Sequence, residues 1–230
     1  VYDAFQQYLK RTGHEGIFVY VSDHGEHAGY RGYYGKGTFY DPSIHTPMLF
    51  VGDGIEKGRQ IYGATSLMDL GPTLCDIAGV MSPPDIDGCS LYPQLQGEED
   101  EIERMVISEV GGEIDISSGR LSYGQMVKYK SYKYIHYCGF DDADVLYDLE
   151  KDPQESVNVI QDHEELVKRM RSLIDSSCQS EEVIRTKAEV LKQNLKILTK
   201  CTYDSEEERW HAPECARHYP ERMVKSKLVT

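Results

Sequence analysis

Apolar positions change period along this chain, and each change marks an element. Val1 to Lys10 is spaced like a helix. Ile17-Phe18-Val19-Tyr20-Val21 is a short, continuous, β-rich apolar run, which predicts a buried strand. Met48 to Val51 predicts a second strand, closed by the turn Gly52-Asp53-Gly54. From Ser66 to Gly79 the period returns to helical, with Leu67, Leu70, Leu74 and Ile77 on one face and Gly79 near the C-cap. Pro72 lies inside that run and marks a kink or a restart. A turn-rich loop, Ser82 to Gly88, leads to a short helix at Leu91–Leu95 and a strand at Met105–Val110.

Beyond residue 119 the pattern becomes alternating. Tyr123 to Tyr129 and Lys130 to Tyr137 alternate polar with aromatic or aliphatic side chains, the signature of an antiparallel sheet with one solvated face. Val145 to Leu149 is a further strand, followed by the turn Glu150-Lys151-Asp152-Pro153. Helices are predicted over Glu164–Ile174 and Glu181–Lys200, the latter with Val183, Val190, Leu191, Leu195 and Leu198 as its apolar set. The expected fold is α/β. Residues 1–115 form the C-terminal part of a mixed, mostly parallel sheet flanked by helices. Residues 116–178 form a small antiparallel-sheet subdomain with a packed helix, and residues 179–230 form a helical and irregular extension.

Charge narrows the function classes. With 25 Lys and Arg against 39 Asp and Glu, the net charge is −14, which argues against nucleic acid and anionic membranes as partners. The aromatic strands are therefore read as sheet packing rather than a base-stacking platform. No apolar run approaches the length of a membrane span, and the compartment is left open. Six cysteines are an even but sparse set, compatible with thiols or disulfides. Cys201, His211, Cys215 and His218 have spacings that match no common zinc pattern, so loop thiols or a Cys201–Cys215 bridge are preferred.

The chemistry concentrates at Ser22-Asp23-His24-Gly25-Glu26, where the first predicted strand opens into a loop. Ligands of open α/β sheets bind at the carboxyl ends of strands. A carboxylate and an imidazole side by side there, followed by glycine, offer two metal ligands beside a backbone that can approach a small charged group. Lys36 follows among Gly29, Gly32, Gly35 and Gly37. Arg31 could steer an anionic substrate or be solvated. His45, at the entry to the second strand, could reach the pocket or be structural, and His27 has little claim to a metal role in a loop.

This block resembles the second half of the sulfatase family, within the alkaline-phosphatase superfamily. The matching pieces are the strand with Ser22-Asp23-His24-Gly25-Glu26, the loop ending in Gly35-Lys36-Gly37, Asp41-Pro42-Ser43, and Thr46-Pro47-Met48-Leu49-Phe50. The resemblance continues through Met68-Asp69-Leu70-Gly71-Pro72-Thr73-Leu74 and Asp87-Gly88-Cys89-Ser90-Leu91 to Leu146-Tyr147-Asp148-Leu149-Glu150-Lys151-Asp152-Pro153-Gln154-Glu155. It looks closest to choline-sulfatase and phosphonate-monoesterase-like members.

The resemblance implies that Asp23 and His24 ligate a divalent cation, calcium first, with magnesium or manganese as alternatives. It implies that Lys36, with His24, acts catalytically and that Lys36 grips a sulfate oxygen, Arg31 and His45 being weaker candidates for substrate contact. The expected substrate is a small-molecule or saccharide sulfate ester. A phosphodiesterase or phosphonate monoester hydrolase, or a non-catalytic sulfatase-like binding module, are the alternatives. The family's nucleophile is a formylglycine made within Cys/Ser-x-Pro/Ala-x-Arg, and no cysteine or serine here has that surrounding. The chain is thus expected to be the C-terminal portion of a longer enzyme, inactive by itself and prone to self-association.

Overall fold

The computed structural model describes residues 1–114, 121–140 and 142–200. Cys201, His211, Cys215 and His218, and with them the expected loop thiols or bridge, lie outside the described residues. The chain divides into two compact units: Val1–Gly111 with Gly124–Ser177, and Gly112–Tyr123 with Cys178–Thr230.

In the first unit, α1 (Tyr2–Thr12) is stopped by Gly13, whose left-handed backbone (φ 70°) lets its N–H reach the Leu9 carbonyl at 2.8 Å. Tyr2 and Phe5 of this helix pack on Phe18, with ring centroids 5.3 and 5.7 Å apart. Phe18 lies in β1 (Ile17–Val21), which pairs antiparallel with β2 (Met48–Gly52), Ile17 facing Gly52 and Val21 facing Met48. A short helix, α2 (Asp41–Ile44), precedes β2.

The fold is α/β, as expected, and within it β1 and β2 run antiparallel to each other. The expectation of a buried first strand is corrected. No residue of β1 is fully buried, because β2 is its one strand neighbour among the described residues. Phe50 of β2 joins Leu91 and Leu95 in a core cluster, with Ile17, Val19, Met48, Leu70 and Ile77 packed against it.

The long helix read over 66–79 resolves into a 3-10 turn at Leu67–Asp69 and α3 (Leu70–Ile77), so Pro72 falls in the first turn, where its missing N–H is no loss. Leu67 and Leu74, expected on the covered face, are exposed, whereas Asp69 and Thr73 are buried. Asp69 closes a capping box with Ser66 and is held by Arg104, whose two terminal nitrogens donate to its carboxylate at 2.8 and 2.7 Å. Burial works to raise its pKa, but Arg104 and the Cys89 and Ser66 amides outweigh that and hold it below the usual carboxylate range. Next comes α4 (Tyr92–Leu95), which supplies the buried Leu95.

The second sheet has four strands in the order β3 (Met105–Ile114), β4 (Leu121–Tyr129), β5 (Tyr132–Tyr137) and β6 (Val145–Asp148). β5 pairs antiparallel with both β4 and β6. The alternation predicted a solvated face, yet four consecutive residues of β5, Lys133 to His136, are buried. One side packs Met126, Ile135 and Tyr147 with Phe39. α5 (Glu164–Ser177) buries Met170 and Ile174 and contacts β5.

In the second unit, α6 (Glu181–Lys200) buries Ile184 and Ala188, with Tyr123 packed against them. No helix among the described residues is long and apolar enough to cross a membrane.

Candidate functional site

Three side chains meet where β1 ends. The Asp23 carboxylate Oδ1 accepts the His24 backbone N–H at 3.0 Å, and its Oδ2 stands 3.3 Å from His24 Nε2. Lys36 Nζ contacts the same Nε2. His24 Nδ1 lies 2.9 Å from the Gly25 carbonyl oxygen, which can only accept, so Nδ1 carries the proton and Nε2 presents a lone pair. The His24 amide, first, with help from the nearby Lys36 charge, holds the Asp23 carboxyl below its ordinary range against the opposing effect of burial. The carboxylate is open to solvent, its side chain 83% exposed.

Local sequence explains the convergence. Gly25 donates its N–H to Ser43 O at 2.8 Å, an approach so close that a Cβ on Gly25 would stand 2.0 Å from the Pro42 carbonyl oxygen. Lys36 sits between Gly35 (φ 84°) and Gly37 (φ 97°), both in the left-handed region. Gly35 is tied on both sides: its N–H donates to Glu26 Oε1 at 2.5 Å, and its carbonyl accepts from His27 N at 2.9 Å. After the lysine, Thr38 Oγ1 bonds His27 Nε2 at 2.7 Å, and Phe39, 2% exposed, plugs into the β4–β6 core. Gly124 leaves room for that ring, since a Cβ there would come within 2.7 Å of it.

The other candidates are engaged elsewhere. The Arg31 guanidinium lies 4.8 Å from the centre of the Tyr40 ring and hydrogen-bonds Tyr147. His45 is 80% exposed and 3.7 Å from Asp41 Oδ2, one helical turn back. His27 is buried among Tyr30, Tyr33 and Tyr40. Among the described residues no group of three or more His, Cys, Asp or Glu is placed to hold a metal ion. Asp23 and His24 do fit as two members of a ligand set, a hard oxygen and a lone-pair nitrogen facing the same point, and a complete shell requires further donors.

Sequence reasoning passed over the groups that brace this site. Lys133 Nζ, fully buried, donates to Phe39 O at 2.9 Å, to Glu155 Oε1 at 2.6 Å and to Asp41 Oδ1. The Asp41 N–H donates to Glu155 Oε2 at 2.9 Å. The one available signal was the acidic end of Asp152-Pro153-Gln154-Glu155.

Comparison with known proteins adds the following. A protein-family profile described as "N-sulphoglucosamine sulphohydrolase, C-terminal" matches residues 25–180, a span that includes Lys36 and starts just after Asp23 and His24. The Δ4,5-hexuronate-2-O-sulfatase of Bacteroides thetaiotaomicron is 33% identical over 175 residues, 73% of this chain and 36% of the relative. Arylsulfatase K of Xenopus laevis is 36% identical over 166 residues, 68% of this chain and 31% of the relative. The crystal structure of the phosphonate monoester hydrolase of Agrobacterium radiobacter is similar with a TM-score of 0.61 and 31% identity, covering 76% of this chain and 37% of the other. The chain spans about a third of the length of these relatives.

Proposed function

This chain belongs to the sulfatase family, and from that premise we propose that it supplies part of the reactive centre of a sulfuric ester hydrolase acting on a sulfated saccharide. The observation that carries the reading is the meeting of Asp23 Oδ2, His24 Nε2 and Lys36 Nζ at one strand end. Asp23 and His24 would hold a divalent cation, calcium first, which when bound would supply Lewis-acid polarisation of a sulfate oxygen.

Lys36 holds a positive charge on a loop pinned at both ends, so little reorganisation is needed as negative charge builds on the sulfate oxygens. The Gly25 carbonyl keeps the His24 proton on Nδ1, which leaves the Nε2 lone pair on the side shared with Asp23 Oδ2 and Lys36 Nζ. A formylglycine nucleophile is part of the reading and would come from sequence outside these 230 residues, because no cysteine or serine here lies in Cys/Ser-x-Pro/Ala-x-Arg. A hexuronate 2-O-sulfate, the substrate named for the B. thetaiotaomicron relative, supports a saccharide as the carrier. Arg31 and His45 remain weak candidates for substrate contact, and both would need to leave their present partners.

Hydrolysis of a phosphonate monoester is the second reading, favoured by the likeness to the A. radiobacter enzyme. The test compares the full-length enzyme on a 2-O-sulfated uronic-acid disaccharide and on phenyl phosphonate monoesters. We expect sulfate release to be faster by at least tenfold in kcat/KM. Preference for the phosphonate would replace the first reading with the second. The 230-residue chain alone is expected to release no sulfate, and any turnover by it would show that the nucleophile lies within it.

A further inference from the structure

We propose that Lys133 is a positioning residue for the Asp23–His24–Lys36 trio, acting through residues 39–43; this rests on reading the trio as the reactive site. An ammonium has three protons to donate. Those of Lys133 go to Phe39 O, Asp41 Oδ1 and Glu155 Oε1, all on segments other than its own strand. Glu155 then closes the ring by accepting the Asp41 N–H. Lys133 and Glu155 are both 0% exposed.

A buried ion cluster is weak evidence for stability, since its desolvation offsets most of its attraction. What this cluster does is fix a place. The 39–41 backbone is held against β5 by bonds to both its main chain and a side chain. Lys36 lies three residues before Phe39, and Ser43, which accepts the Gly25 N–H, lies two residues after Asp41. One ammonium therefore sets both sides of the trio: the loop that carries Lys36, and the elbow whose Gly25 adjoins His24.

The turn that presents Glu155 is itself braced. Glu155 has a left-handed backbone (φ 53°), unusual for a side chain of its kind. The preceding Asp152 accepts its N–H through the main chain at 3.0 Å, and accepts the Ser156 and Val157 amides through its carboxylate at 2.5 and 2.7 Å. Local strain of this sort persists where the surroundings over-determine it. Lys128 pairs with Lys133 across β4 and β5 and donates its own ammonium to the Lys130 carbonyl, so a like charge borders the cluster without sharing its carboxylates.

The experiment compares Lys133→Met, Glu155→Gln and the double variant with the wild-type chain. Amide hydrogen exchange is followed at Gly25, Gly35 and residues 36–41, with the amides of β1 as the internal standard. Positioning predicts exchange at least tenfold faster at Gly25 and Gly35 with β1 unchanged. It also predicts that the double variant, which leaves no unpaired buried charge, regains thermal stability without regaining loop protection. In the full-length enzyme, kcat should then stay at least tenfold low. Wild-type protection at Gly25 and Gly35, or uniform acceleration that includes β1, would overturn the proposal. Where Lys133→Met fails to fold, the double variant decides the matter, because it removes the Lys133 bonds to Phe39 and Asp41 without leaving Glu155 as an unpaired buried carboxylate. Absence of sulfate-ester turnover in the wild-type enzyme would sink the functional reading alone, and the exchange comparison would still decide the positioning.

Discussion

The β1–β2 pair and the β3–β6 sheet carry opposite shares of chemistry and burial. None of the five residues of β1 is buried, and its end carries the exposed Asp23 beside His24. In β5 four of six residues are buried and in β6 three of four, including polar side chains held by carboxylates. Lys133 is matched by two carboxylates, and Tyr134 and His136 share Asp144. The difference teaches that the fold separates two tasks: the groups proposed to react stay wet on a sparse element, and a dense sheet holds the segment that follows Lys36.

The sharpest test of that separation is Lys36→Ala. We expect turnover of the full-length enzyme to fall by about two to three orders of magnitude, the usual scale for a lost oxyanion partner, with stability within about 1 kcal/mol of wild type. Kinetics and denaturant unfolding measured on the same preparation check both halves. Near-normal turnover would return Lys36 to the role of a solvated loop lysine.

The converse is Leu146→Ala in β6. Leu146 is 0% exposed, and its loss should destabilise by about 2–5 kcal/mol, whereas Val19→Ala in β1 should cost about 1 kcal/mol. Equal effects in urea titrations would erase the contrast between the two sheets.

Titration offers a third lever, inside the dense sheet alone. The hydrogen bond of His136 Nδ1 to Asp144 at 2.8 Å, and then one to Cys138, push the imidazole up to about 9; burial and the Arg171 guanidinium, 2.6 Å from the same nitrogen, oppose this. The folded value lies above the unfolded 6.5, so the stabilisation is complete below about pH 6.5 and is lost as pH rises through 9. Its size is at most about 3 kcal/mol. His136→Asn should flatten the stability profile between pH 6.5 and 9, and an unchanged slope would remove His136 as its origin.

The smallest expected effect concerns association. Tyr20 and Leu49 face each other across the two-stranded pair and are 56% and 51% exposed. An apolar strand surface of this kind favours pairing with another copy. Leu49→Lys should shift the isolated chain toward monomer in sedimentation, and a wild-type chain that is already monomeric would leave nothing to shift.

Much of the architecture is legible in the sequence because its periods are local. The strand runs at 17–21 and 48–51, the alternation at 123–137 and the helical spacing at 164–174 fall where the elements form. The adjacency of Lys36 to Asp23 and His24 is legible for a different reason: the resemblance to the sulfatase family implies it, whereas a glycine-flanked loop lysine taken alone reads as solvated. Lys133 was not legible. Alternation assigns it to a solvated face, and only pairing with residues 92 positions earlier and 22 later makes its burial tolerable. Asp69 was hidden in the same way, since helical periodicity hides a buried carboxylate whose partner, Arg104, lies 35 positions away.

The Gly25–Ser43 bond and the His27–Gly35 bond have one further consequence. Together they make a clasp that brings the two ends of residues 28–34 side by side. Tyr34, 82% exposed, stands on that bight next to the fixed Gly35. Tyr34 can therefore be exchanged without disturbing either bond, whereas Tyr30 and Tyr33 pack on His27 and Tyr30 also bonds the Gln154 carbonyl. A designer who wishes to alter this surface has one position, Tyr34, that lies beside the clasp and takes part in neither of its bonds.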